Sequence, residues 1–89
     1  MNKQFVEKAS AAIADKYRLA ILLEVAQKGI LSCTAAQELT GLSQPCVSHH
    51  LKLLTESRLL TATKEGRFVT LRLNKDAMKE LSLFFADLA

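Results

Sequence analysis

At 89 residues the chain has room for one compact domain with a modest core, of a size that often gains stability from association. Aliphatics are abundant and aromatics few. Trp is absent, and three Gly with one Pro favour helices over a sandwich or barrel. No run approaches the roughly 18 consecutive apolar residues of a membrane span, and the amino terminus lacks a signal-peptide pattern. The expectation is therefore a soluble cytoplasmic protein with both cysteines reduced. The net charge is only +3, but residues 43–72 carry all of it. There Lys52, Arg58, Lys64, Arg67 and Arg72 face only Glu56 and Glu65, while residues 1–42 sum to +1 and 73–89 to −1. A basic second half suits an anionic partner.

In chain order, residues 2–14 place Phe5, Val6, Ala9, Ala12 and Ile13 at helical spacing. Asp15 reads as the cap of a second helix from about Lys16 to Lys28, closed by Gly29. Its run Leu19-Ala-Ile-Leu-Leu-Glu-Val-Ala26 is apolar nearly all round, which predicts a central strut buried on most sides. Ser32 can cap a short third helix ending near Thr40, before Gly41.

The stretch Ser43 to Arg58 then carries a helix-start signal, Ser43 as cap and Pro45 in the first turn. Its wheel separates Val47, Leu51 and Leu54 from Pro45, Ser48, His49, Lys52 and Glu56. Two short helices joined by a Gly-containing turn form a helix-turn-helix, here about residues 33–57. In that motif the second helix enters the major groove with its amino-terminal residues toward the bases. Beyond Arg58, residues 59–64 and 68–73 are β-prone around Glu65-Gly66-Arg67, giving a wing at about 60–73. Residues 75–88 return to helix, with Leu81, Phe85 and Leu88 in one stripe. The expected fold is a single, mainly α, winged helix-turn-helix domain over residues 1–89, in the order ααααββα.

The segments Tyr17-Arg-Leu-Ala-Ile-Leu22, Gly41-Leu-Ser-Gln-Pro-Cys-Val-Ser-His-His-Leu-Lys-Leu-Leu54 and Glu65-Gly66-Arg67 carry a resemblance. Over about residues 10–75 the chain resembles the ArsR/SmtB family of bacterial winged-helix repressors. The resemblance implies a homodimer that binds an operator and is released by an effector, usually a metal ion or metalloid. The family's soft-metal site uses Cys-x-Cys at the start of the third helix. Here Ser32 and Thr34 flank the single Cys33, a poor site for an ion that needs two or three sulfur ligands. The family's zinc site lies on the last helix and needs histidine. Residues 74–89 have none, and Asp76, Glu80 and Asp87 alone are unconvincing ligands. No metal or other cofactor is expected, and the effector stays unassigned.

His49 and His50 are adjacent, so on a helix they point about 100° apart and cannot readily chelate one ion. His49 falls on the free face and His50 borders the core face, where it can hold the helix in place. The DNA-contacting set expected from these positions is Ser43, Gln44, Pro45, Cys46, Ser48, His49, His50 and Lys52, with Lys64 and Arg67 at the wing tip. Cys33 reads as a buried thiol, with a redox role as the alternative. Cys46 is either a small packing residue or a thiolate favoured by the helix dipole, hence a redox switch. The expected dimer interface joins the first and last helices through Phe5, Val6, Ala9, Ile13, Leu81, Phe84, Phe85 and Leu88. Two readings follow: a homodimeric repressor on an inverted-repeat operator in double-stranded DNA, with thiol control through Cys46 as a variant, or a winged-helix protein-interaction module. No nucleophile, base and orienting group can be assembled, so an enzyme is not expected.

Overall fold

The computed structural model describes residues 2–89. Every helix begins on a side-chain cap that takes up an amide the first turn leaves free. In α1 (Lys3–Ile13) Asn2 accepts from the Phe5 amide at 3.1 Å. In α2 (Lys16–Lys28) the Asp15 carboxylate accepts from both Tyr17 and Arg18 at 3.0 Å. Ser32 caps α3 (Cys33–Thr40), Ser43 caps α4 (Gln44–Glu56), and Asn74 caps α5 (Lys75–Leu88). Gly41 closes α3 at φ 70°, a left-handed conformation that glycine adopts without the Cβ penalty.

Between α2 and α3, Leu31–Ser32 form a two-residue strand, β1, absent from the expected ααααββα order. It pairs antiparallel with β3 (Phe68–Leu73), which also pairs antiparallel with β2 (Leu60–Glu65), so the sheet order is β1-β3-β2. Leu31 lies opposite Leu71, and both are buried. The root of the hairpin is thus stitched to the base of the helix-turn-helix. Only Leu60 of β2 is buried, so the hairpin projects beyond the body. Gly66 and Arg67 form its two-residue loop, and Gly66 has φ 62° at the first loop position, where such turns favour glycine.

The core gathers Ile21, Val25, Leu31, Leu54, Leu59, Leu60 and Leu71, with Phe5, Ala9 and Ala12 from α1 and Ala77 and Leu81 from α5. Each large aliphatic buried there contributes roughly 1.5–3 kcal/mol. The strut expectation for α2 needs correction. Only Ile21 and Val25 are buried, whereas Leu19 and Leu23 are 41% and 60% exposed. One protomer covers a single side of this helix, although its sequence is apolar on several.

At the end of α4 the Ser57 hydroxyl donates to the Leu54 carbonyl at 2.8 Å, and Arg58 turns the chain at φ 71°. Its guanidinium lies 4.8 Å from the Phe5 ring centroid and 3.6 Å from Glu80. Arg58 therefore ties α1 and α5 to the junction between α4 and the hairpin. Among the described residues, no helix is long and apolar enough to cross a membrane.

Candidate nucleic-acid interface

The two faces of α4 separate as its periodicity requires. Val47, Leu51 and Leu54 are buried, while Gln44, Pro45, Cys46, Ser48, His49 and Lys52 are exposed. Ser43 is the cap itself, its hydroxyl accepting from the Cys46 amide at 3.4 Å. Lys52 sits 3.9 Å from Glu56 one turn on, a solvent-exposed pair that leaves the ammonium available to another anion. Lys64 and Arg67 are exposed near and on the hairpin loop.

A cleft of about 280 Å³ separates α3, α4 and the hairpin. Gln44, Ser48, Arg67 and Cys33 line it together, beside Gln37 and Phe68. The fold thus gathers hydrogen-bonding groups from two helices and one wing cation on one side of the molecule. Lys64, His49 and Lys52 do not line this cleft. Cys33 and Cys46 are both free thiols. Cys33 is half-buried, and burial pushes its thiol pKa up, away from the reactive thiolate. Cys46 is exposed in the first turn of α4.

His50 differs from its neighbours in the expected DNA-contacting set. Its ring points inward to α2: Nδ1 is 3.0 Å from Arg18 Nη1 and 3.9 Å from the Asp15 carboxylate, and the ring packs against Tyr17 at 5.9 Å. A guanidinium can only donate, so Nδ1 is the acceptor in this contact. Arg18 also donates through Nε to the Ala12 carbonyl at 2.7 Å and through Nη2 to Ala11 at 3.4 Å, satisfying the exposed end of α1. The Arg18 amide hydrogen bond, then the charge of Arg18, the Tyr17 amide and His50 hold the Asp15 carboxyl below its ordinary range. His50 is consequently a structural residue that fixes α4 on α2. Its side chain is 15% exposed and turned toward α2, unlike the other expected DNA-contacting residues of α4.

The expected interface residues also divide. Phe5, Ala9 and Leu81 are buried in the chain's own core. Val6, Ile13 and Phe84 are half-buried, while Phe85 and Leu88 are exposed together with Leu83. A helical stripe shows that a face is apolar, not which neighbour covers it.

Sequence reasoning passed over Arg18 and Phe68. Arg18 meets His50 across 32 residues, and no local spacing announces that contact. Phe68 was counted as a strand residue, yet it is 68% exposed beside Arg67, and an aromatic next to the Gly-Arg loop was a usable signal.

A two-helix reader braced by α2, followed by a β-hairpin wing, defines the winged helix-turn-helix class. A family described as a helix-turn-helix domain matches residues 13–63. The arsenical resistance operon repressor of Bacillus subtilis is 31% identical over 75 residues, covering 84% of this chain and 71% of the relative. The arsenical resistance operon repressor of Escherichia coli is 42% identical over 66 residues, covering 70% of this chain. The chain spans 53% of that relative's length. The homodimeric winged helix-turn-helix DNA-binding domain of a Mycobacterium bovis protein superposes with a TM-score of 0.76 at 27% identity, covering 96% of this chain and 79% of that one. The chain belongs to the ArsR family of winged helix-turn-helix regulators.

Proposed function

We propose that this chain is a cytoplasmic, homodimeric transcriptional repressor that reads an inverted-repeat operator in double-stranded DNA. The observation that carries the reading is the division of α4. Its apolar residues are spent on the core, leaving Gln44, Ser48, His49 and Lys52 exposed on a rigid, capped helix. Gln44, Ser48 and His49 offer hydrogen bonds to base edges, Lys52 and the hairpin cations Lys64 and Arg67 attract phosphates, and the first-turn amides of α4 favour an anion.

Dimerisation is supported by the exposed Leu83, Phe85 and Leu88 on α5 and by the homodimeric Mycobacterium bovis relative. A two-fold axis would set the two copies of α4 in successive major grooves. Cys33 alone offers a single thiolate at the start of α3, and the histidines lie on α4 rather than α5, so neither metal-sensing arrangement described for the family is supported here.

The test is fluorescence anisotropy with DNA from immediately upstream of the gene, against a shuffled sequence of equal length. Preferential binding to the upstream DNA, reduced by Gln44→Ala or His49→Ala, is the expected result. Failure to bind either DNA would favour the protein-interaction module instead. A redox-responsive form of the repressor is favoured by one observation, the exposure of Cys46 at the start of α4.

A further inference from the structure

On the side of the molecule where α1 meets the carboxy-terminal half of α4, a second cleft holds about 210 Å³. Its floor is apolar, made by Ala11 and Ala12 of α1 and Leu53 of α4, and its edges carry Lys8, Arg18 and Glu56. The cleft is open to solvent, and its volume is of the order that a single ring with a short polar group fills.

The charges at the edges select the group. Glu56 lies 3.9 Å from Lys52 on its own helix, an exposed pair that offsets part of its charge. Among the described residues, neither Lys8 nor Arg18 has a carboxylate within ion-pair distance. Arg18 uses three of its five N–H donors, on Ala11, Ala12 and His50. Two remain, and a carboxylate is the planar anion that matches that fork. An apolar floor with two cations above it, neither in a direct ion pair, suits an amphiphilic anion rather than a neutral hydrocarbon.

We propose that this cleft is a binding site for a small aromatic carboxylate of about benzoate size. The ring covers Ala11, Ala12 and Leu53, and the carboxylate lies between Lys8 and Arg18. The carboxylate takes the two free donors, and its pull on the shared guanidinium weakens the bond to His50, because a carboxylate is a stronger acceptor for a charged donor than an imidazole nitrogen. Since Arg18 is what fixes His50, and His50 sits in the middle of α4, occupancy loosens the reading helix. That last consequence rests on the repressor reading; the binding itself does not.

The test is a titration of the full-length ¹⁵N-labelled chain, without DNA, using sodium benzoate, benzyl alcohol and sodium acetate as probes. Benzoate is expected to shift the Lys8, Ala11, Arg18 and Leu53 amides saturably. Benzyl alcohol, which keeps the ring and loses the charge, should bind about tenfold more weakly, and acetate should not saturate. Lys8→Gln should weaken benzoate by about tenfold, and Ala11→Phe, an exposed substitution that plugs the cleft, should abolish the shifts. Equal binding of benzyl alcohol, shifts scattered over the surface, or saturation undisturbed in Ala11→Phe would overturn the site. So would Lys8 and Ala11 shifts that follow dilution and ignore benzoate, which would mean that a second copy covers the cleft. Adding benzoate to the DNA-bound protein should lower its operator affinity; saturable binding with unchanged operator affinity would remove the coupling through Arg18 and leave the site.

Discussion

Arg18 Nη1 lies 3.0 Å from His50 Nδ1, and this single bond fastens the middle of α4 to the first turn of α2. The two adjacent histidines of α4 therefore have different work: His50 holds the helix and His49 faces solvent. His50→Ala leaves a half-buried guanidinium without its partner and should cost about 1–3 kcal/mol of stability. His49→Ala removes an exposed side chain and should change stability by about 0.5 kcal/mol or less. Urea denaturation of both variants checks the contrast. Equal losses would show that the Arg18 contact carries no stability.

Asp15 predicts how part of the stability depends on pH. Its carboxylate caps α2, and the Arg18 amide, the charge of Arg18, the Tyr17 amide and His50 hold its pKa below the model-peptide value of 3.8. The folded chain thus binds fewer protons at this site than the unfolded chain as pH falls below that value, so the contribution is full above it and is lost through the folded pKa. The difference in Tm between the native chain and Asp15→Ala should be constant at neutral pH and shrink below pH 3.8. A difference that grows on acidification would contradict the capping account.

Much of this was legible beforehand, because helix ends and faces are local properties. Asp15, Ser32 and Ser43 announced three helix starts, and the spacing of Val47, Leu51 and Leu54 announced the buried face of α4. What escaped was whatever depends on a distant neighbour. Leu31–Ser32 is too short to show alternation and is a strand only because β3 lies beside it. Leu19 and Leu23 look like core in sequence, yet no second surface of the protomer covers them. Phe5, Ala9 and Leu81 were legible as apolar, but their burial in the chain's own core was not.

The two thiols should react at very different rates. Cys46 is exposed, whereas Cys33 is half-buried with its pKa raised by burial. Brief alkylation with iodoacetamide at neutral pH, read by peptide mass spectrometry, should label Cys46 first. If thiol control operates through Cys46, mild oxidation lowers operator affinity and Cys46→Ser abolishes the response. An affinity unchanged by oxidation would remove that form of the repressor.

Leu54 is fully buried at the point where α4 meets the core. Leu54→Ala should cost about 2–5 kcal/mol through lost burial and the cavity left behind. For a domain of this size that is a large share of the total, and the thermal transition should fall steeply or disappear. A loss of about 1 kcal/mol or less would show that α4 is seated by its polar contacts instead.

The most direct test of the central claim is the salt dependence of binding to the upstream DNA. Lys52, Lys64 and Arg67 stand exposed on α4 and the hairpin. A dimer that engages all of them with phosphates should show log K falling against log salt with a slope of about −5. A slope near zero, or an affinity for upstream DNA no greater than for shuffled DNA, would contradict the operator-reading account.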